Sequence, residues 1–217
     1  MFHKIFSLIQ LDLKLELRNK HLIFSLLLYI FSTILLINLM AGEIDSERWN
    51  VFYWIVQTFV CINAVSKPFT QLSAHQFVYL QNLTNGQNFI ISKLIYAGLF
   101  QLLLAIISYV IFVIFFGNPL ANSLSFLIIA LCGSVLISIL FTFLTAIAHR
   151  AQQNMSIVPI MGFPLVTPLL MIINKISTAA AKGSVLDNLA GIYLILGVFA
   201  ALLIVLCIVL YPIVWEE

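Results

Sequence analysis

Six stretches of this chain, 22–41, 49–66, 94–116, 124–148, 155–174 and 191–215, contain no Asp, Glu, Lys or Arg. Each reaches or approaches the roughly 20 residues that a helix, rising about 1.5 Å per residue, needs to cross about 30 Å of hydrocarbon. Of the 217 residues, 63% are hydrophobic and 8% charged, too few charges to solvate a water-soluble surface of this size. The bilayer is therefore the expected solvent. Residues 94–148 hold no charge and no histidine, and a run about twice the length of a span must turn once. Gly117-Asn118-Pro119 with Asn122 and Ser123 is the local cluster of turn formers that allows it. Membrane strands would alternate apolar and polar residues over about ten positions. These runs are apolar on every face, so the expected fold is an all-α membrane protein with six transmembrane helices.

The cations set the expected orientation. Lys4, Lys14, Arg18 and Lys20 precede the first span, Lys67 and Lys93 flank the second connection, and Arg150 lies in the fourth; the opposite connections hold Arg48, Lys175 and Lys182. Seven against three put both termini in the cytoplasm by the positive-inside rule. The first apolar run is about twice a signal-peptide core, and no clean small-x-small cleavage site follows it, so it reads as a span. Residues 1–20 form a separate segment in which Phe2, Ile5, Phe6, Ile9, Leu13 and Leu17 fit one helical face and Lys14, Arg18 and Lys20 another. An amphipathic helix in the membrane interface accounts for this. The strict alternation from Leu11 to Arg18 also fits a strand, but no second strand is available to pair with it.

The 67–93 connection is the longest on the cytoplasmic side and is almost uncharged. Pro68 ends the second span in this reading and Asn85-Gly86 marks a turn. Between them Leu72, Gln76, Tyr79 and Leu83 are spaced as in a short amphipathic helix. Such a helix is either a handle for another protein or a plain surface connector. The fifth span carries Pro159, Pro164 and Pro168 with Gly162 among them. Each proline removes a donor and crowds the carbonyl four residues earlier, so a kink or break is expected, either tolerated by neighbouring helices or used in a moving element. Ser134, Ser138, Thr142 and Thr145 follow one face of the fourth span, and Ala97, Gln101, Ala105 and Ser108 one face of the third. Small and hydroxyl residues at that spacing point to close helix packing.

The inventory argues against catalysis. Asp12, Asp45 and Asp187 lie outside the spans, and there is no HExxH, no GxSxG, no Cys/His cluster and no phosphate-binding glycine loop. Cys61, Cys132 and Cys207 fall inside spans as small apolar packers, with no metal site expected. A net charge of +2 is too small to suggest nucleic acid. No ionisable residue is expected at mid-membrane, so a carrier driven by protons or ions is not indicated, and energy for transport would come from a partner.

The order of these features resembles the membrane subunit of ABC-2-type exporters, and more closely the heme exporter protein B (CcmB) family of cytochrome c maturation. The residues that carry the resemblance are Trp54-Ile55, Asn63-Ala64-Val65-Ser66-Lys67, Phe69 with Gln71, Ser92-Lys93-Leu94-Ile95-Tyr96, Gly117-Asn118-Pro119 and the proline-rich run 159–170. It covers essentially the whole chain. The resemblance implies an ABC-2-type permease of the bacterial inner membrane, multi-pass and homodimeric, that docks a separate ABC ATP-binding subunit through the 67–93 coupling connection. Phe69, Gln71, Leu72, His75, Gln76, Tyr79, Leu83, Asn85 and Gly86 are the coupling candidates, and Pro159, Gly162, Pro164 and Pro168 the conformational ones. ATP would sit in the partner and heme would be the possible cargo, handled with a heme-handling membrane protein and a heme chaperone. No histidine is expected on the outer side, so direct heme ligation is not implied. Export of a lipid, polysaccharide or drug, or a non-transporting scaffold, are the alternatives. Family members carry charges where 72–75 and 85–87 are uncharged here.

Overall fold

The computed structural model describes residues 2–70, 80, 83–150, 157–183 and 190–216. Among these there are seven helices and no strand: α1 (Phe2–Arg18), α2 (Lys20–Ala41), α3 (Ser46–Thr70), α4 (Gly86–Phe116), α5 (Ser123–Arg150), α6 (Ile157–Ala181) and α7 (Ala190–Glu216). The helical alternative for residues 1–20 is the one the chain adopts.

Helices α2 to α7 run alternately between two ends of one bundle. At the far end, Asn38 Nδ2 donates to the Phe115 carbonyl at 3.1 Å, the Ala121 amide donates to the Ala181 carbonyl at 2.9 Å, and Lys182 pairs with Glu47. At the other end, which also holds α1, Lys67 Nζ donates to Ser25 Oγ at 3.3 Å, and Phe89 stacks on Tyr211 with centroids 6.0 Å apart. Gly42 at φ 61° and Gly117 at φ 72° terminate α2 and α4 at the far end, in a backbone conformation that a β-carbon would oppose. The expected turn between the third and fourth apolar stretches is present. Asn118 Nδ2 donates to Ser123 Oγ at 2.7 Å, and the Ser125 amide donates to Asn122 Oδ1 at 3.2 Å as α5 begins.

Five helices, α2, α4, α5, α6 and α7, are long and apolar enough to cross a membrane. The sixth expected span, 49–66, lies within α3, whose Asn50, Gln57 and Thr58 lower its apolarity and are all buried. Helix α5 is the centre: 67% of its apolar span is buried, against 17% to 28% in the other four. It packs on α3, α4, α6 and α7. A bundle in lipid needs this one helix shielded, while its neighbours keep large side chains such as Leu28, Ile114 and Leu202 outward.

Several expected boundaries move. Helix α4 begins at Gly86, about two turns before 94, so Lys93 is helical and buried instead of lying in a surface connection. Pro68 does not end α3, which continues to Thr70. Helix α6 continues to Ala181 and takes in Lys175, expected in an outer loop. It also runs unbroken through Pro164 and Pro168. Pro159 falls in the first described turn of α6.

Candidate functional site

Two regions collect the residues with chemical interest. The first is the junction of α1, α3 and α4. Helix α1 has three faces. Ile5, Leu8, Asp12 and Glu16, at helical spacing, are buried against the bundle, whereas Phe6, Leu13 and Leu17 are exposed as an apolar stripe, and Lys14 and Arg18 are exposed beside it. Ile5 was expected with the apolar stripe and instead belongs to the bundle face. Contacts along the helix advance together: Lys4 Nζ donates to the Leu83 carbonyl at 3.1 Å, Lys93 Nζ to Asp12 Oδ1 at 2.8 Å, and the Tyr96 hydroxyl to Glu16 Oε2. Helix α1 therefore lies along the first turns of α4 in the same chain direction, and the chain leaves this alignment at Asn19.

Lys93 is the hub of this junction. Its ammonium meets the Asp12 carboxylate and the Pro68 carbonyl at 3.5 Å, and it lies 5.5 Å and 5.3 Å from the ring centroids of Phe69 and Phe89. An ion pair whose two side chains are each 4% exposed carries a large desolvation cost, which its partners must offset. The rings, the carbonyl and the second anchor at Tyr96 supply that setting. Burial pushes the Asp12 carboxyl up from the ordinary range, and the Lys93 charge and hydrogen bond pull against it. Among the described residues, Asp12 Oδ2 and Glu16 Oε1 are buried without a hydrogen-bond partner.

The coupling candidates distribute unevenly around this junction. Phe69 is 1% exposed, packed against Phe89 and His149, so its ring belongs to the core. Gln71, Leu72, His75, Gln76 and Tyr79 lie outside the described residues. Leu83 is exposed, Asn85 is the exposed N-cap position of α4, and Gly86, its first residue, is buried. The Thr84 amide donates to the Leu80 carbonyl at 3.0 Å, closing a helical turn ahead of α4.

The second region is the α3–α6 face and the polar layer behind it. Asn50 Nδ2 donates to Asn174 Oδ1 at 2.8 Å and to Thr178 Oγ1 at 2.9 Å, and Trp54 Nε1 donates to Ser177 Oγ at 3.0 Å. The Trp54 ring fits over Gly133, where an added β-carbon would come within 2.6 Å of it, and Phe141 fits over Gly162, where the gap would be 2.3 Å. Ser134, Ser138, Thr142 and Gln101 are all buried. The Ser134 and Thr142 hydroxyls donate to the carbonyls of Ala130 and Ser138, each at 2.6 Å, which leaves a compact face that neighbouring helices can approach closely. Gln57 and Gln101 are buried with both amide atoms unpartnered among the described residues. Each lies one turn from the contact of the Tyr53 hydroxyl with the Ala105 carbonyl at 3.4 Å, so α3 and α4 bring them to one level.

Outward from this layer, Pro164, Pro168 and Thr167 on α6 are exposed, as are Val51, Ile55, Phe59 and Asn63 on α3. Phe59 and Phe163 meet edge to face at 6.0 Å. Val51, Trp54, Ile55, Thr167, Met171 and Asn174 line a shallow groove of about 260 Å³ along the seam. The two prolines leave the carbonyls of Ile160 and Pro164 without their helical donors.

Sequence reasoning missed Asp12, Glu16, Lys93 and Tyr96 as a unit. One signal was present: two acids four apart on an otherwise amphipathic helix, and one cation directly against an apolar run. Among the described residues, no three His, Cys, Asp or Glu side chains are grouped to hold a metal, and the three cysteines are free. The chain matches no protein-family model, and no curated protein or solved structure shows significant similarity to it.

Proposed function

We propose that this chain is the permease subunit of an ATP-driven exporter of the ABC-2 type, with six helices crossing a bacterial inner membrane and both termini cytoplasmic. Helix α3 is the sixth crossing in this reading, because it joins the same two bundle ends as α2 and α4 while its Asn50, Gln57 and Thr58 face inward. Two copies would form the complex, and each would dock a separate ATP-binding subunit through the connection between α3 and α4. Heme delivery for c-type cytochrome maturation is the proposed output, on the sequence resemblance described above.

The observation that carries the reading is the outward α3–α6 face. At the depth of the apolar spans it exposes Asn63, Thr167, Pro164 and Pro168, and its prolines free two backbone carbonyls. The Asn63 amide donates to the Phe59 carbonyl at 2.9 Å and the Thr167 hydroxyl to the Phe163 carbonyl at 2.7 Å, so the groups that hydrocarbon leaves unmet are the two freed backbone carbonyls and the Asn63 side-chain oxygen, which a facing protein surface can satisfy. A second copy of the chain presents the same groups in return, as a two-fold interface requires. In a cysteine-free background, Cys introduced at Phe59 or Thr167 should give disulfide-linked dimers in native membranes, and Cys at Val205 on α7 should not. Dimers from Val205 alone would reject the seam. Deleting the gene should abolish covalent heme in c-type cytochromes while the apoproteins persist, and unchanged holo-cytochrome levels would reject heme delivery.

A further inference from the structure

Residues 1–41 contain two acids, Asp12 and Glu16, against four cations, Lys4, Lys14, Arg18 and Lys20. In sequence α1 therefore reads as a weakly basic amphipathic helix. Folding changes that balance. Both acids are turned into the bundle, at 5% and 4% exposure, while all four cations are exposed. The acids are held there by Lys93 and Tyr96 of α4, so the outward surface of α1 is left with cations only. Lys14 and Arg18, one turn apart, directly follow Leu13 and Leu17, which with Phe6 form the exposed apolar stripe. Cationic side chains bordering an exposed apolar stripe complement one environment: anionic headgroups above acyl chains.

We propose that α1 is a binding surface for anionic phospholipid, and that the buried Asp12 and Glu16 serve to strip it of negative charge. The apolar stripe enters the acyl boundary, and Lys14 and Arg18 reach headgroup phosphates from its edge. The inference does not depend on the transport reading, since any protein with this fold would present the same surface. Each Lys or Arg near an anionic membrane surface is worth about 5-fold in local preference.

The test uses the full chain with a benzophenone photoprobe at Leu17, reconstituted in vesicles of equal parts phosphatidylglycerol and phosphatidylcholine. Captured lipid is identified by mass spectrometry. The expected result is phosphatidylglycerol enriched about 5-fold or more at Leu17, with no enrichment from a probe at the lipid-exposed Ile114 at the far end. The enrichment should fall toward parity in Lys14→Gln/Arg18→Gln and in about 1 M salt, and should persist in Lys14→Arg/Arg18→Lys. The salt arm uses the unsubstituted charges, so it reads out even where the double variant fails to fold. Equal capture of both lipids at Leu17, enrichment that survives both the charge removal and the salt, or capture of a second copy of this chain instead of lipid would each overturn the proposal.

Discussion

The junction of α1, α3 and α4 and the outward face of α3 and α6 treat polar groups in opposite ways. At the junction, a lysine and two carboxylates are buried, and a carbonyl and two aromatic rings close around the ammonium. On the α3–α6 face, Asn63 and Thr167 are exposed where the neighbouring surface is apolar, their donors turned back onto the Phe59 and Phe163 carbonyls of their own helices. A membrane protein has little to gain from charge in its interior unless that charge fixes a position, because desolvation offsets the attraction. It has equally little reason to show amide and carbonyl groups to lipid. The first region is thus a fastening internal to the chain, and the second is, in the proposed function, the surface that a second copy completes.

The sharpest way to break this contrast is to remove one half of the fastening. Asp12→Ala leaves Lys93 buried beside Phe69 and Phe89 without its counter-charge, which should cost about 3–5 kcal/mol. Thermal melts in detergent should drop sharply, and proteolysis should open the chain near Asn19. Asp12→Ala combined with Lys93→Met should recover most of the loss, because an apolar pair replaces the ion pair without leaving the Lys93 ammonium unpaired, while Glu16 keeps the Tyr96 hydroxyl. A double variant no more stable than Asp12→Ala would mean that the junction is held by packing and that the charges are incidental.

A smaller effect tests whether the α3–α6 layer is fixed from behind. Gly162→Ala places a β-carbon 2.3 Å from the Phe141 ring, so α5 and α6 must separate or the ring must turn. Overpacking of this kind costs about 1–3 kcal/mol. The effect should be largely relieved by adding Phe141→Leu, measured as a return of the melting temperature. Gly197→Ala on α7, where an added carbon meets nothing within 4 Å, should cost nothing and gain up to about 1 kcal/mol from helix propensity.

The same contrast explains what was legible in sequence. Apolar runs announced the bundle because hydrocarbon selects residues one at a time, and the turn at Gly117 to Ser123 announced itself through its own local chemistry. The face of α1 was half legible: the 6–13–17 stripe followed from spacing, but Ile5 joined Asp12 and Glu16 on the side toward α4. The charge hub was not legible, because Asp12 and Lys93 are 81 positions apart and a single lysine beside an apolar run looks like the end of a loop. Lys93 consequently counted as a surface cation. Pro68 and Pro159 misled in the same local sense. A proline inside a helix forfeits the one bond its amide would have made, for Pro68 that to the Ala64 carbonyl, without ending the helix, and Pro159 sits in the first described turn of α6.

The smallest expected effect bears most directly on the outward face. Pro164 and Pro168 lie within a continuous α6, so Pro164→Ala with Pro168→Ala should return donors to the Ile160 and Pro164 carbonyls with little change of fold. Hydrogen bonds in membrane bundles are worth about 0.6 kcal/mol each, so a gain of roughly 1 kcal/mol is the expectation, seen as a small rise in melting temperature. If the freed carbonyls belong to a two-copy seam, satisfying them within the helix should weaken the disulfide-linked dimer formed through Cys at Phe59. It should also lower holo-cytochrome output while ATPase co-purification is kept. A variant that melts higher, cross-links fully and supports normal cytochromes would make the prolines a tolerated irregularity facing lipid. Loss of membrane insertion would instead place their role in folding, where they hold α6 open until α5 has packed against Gly162.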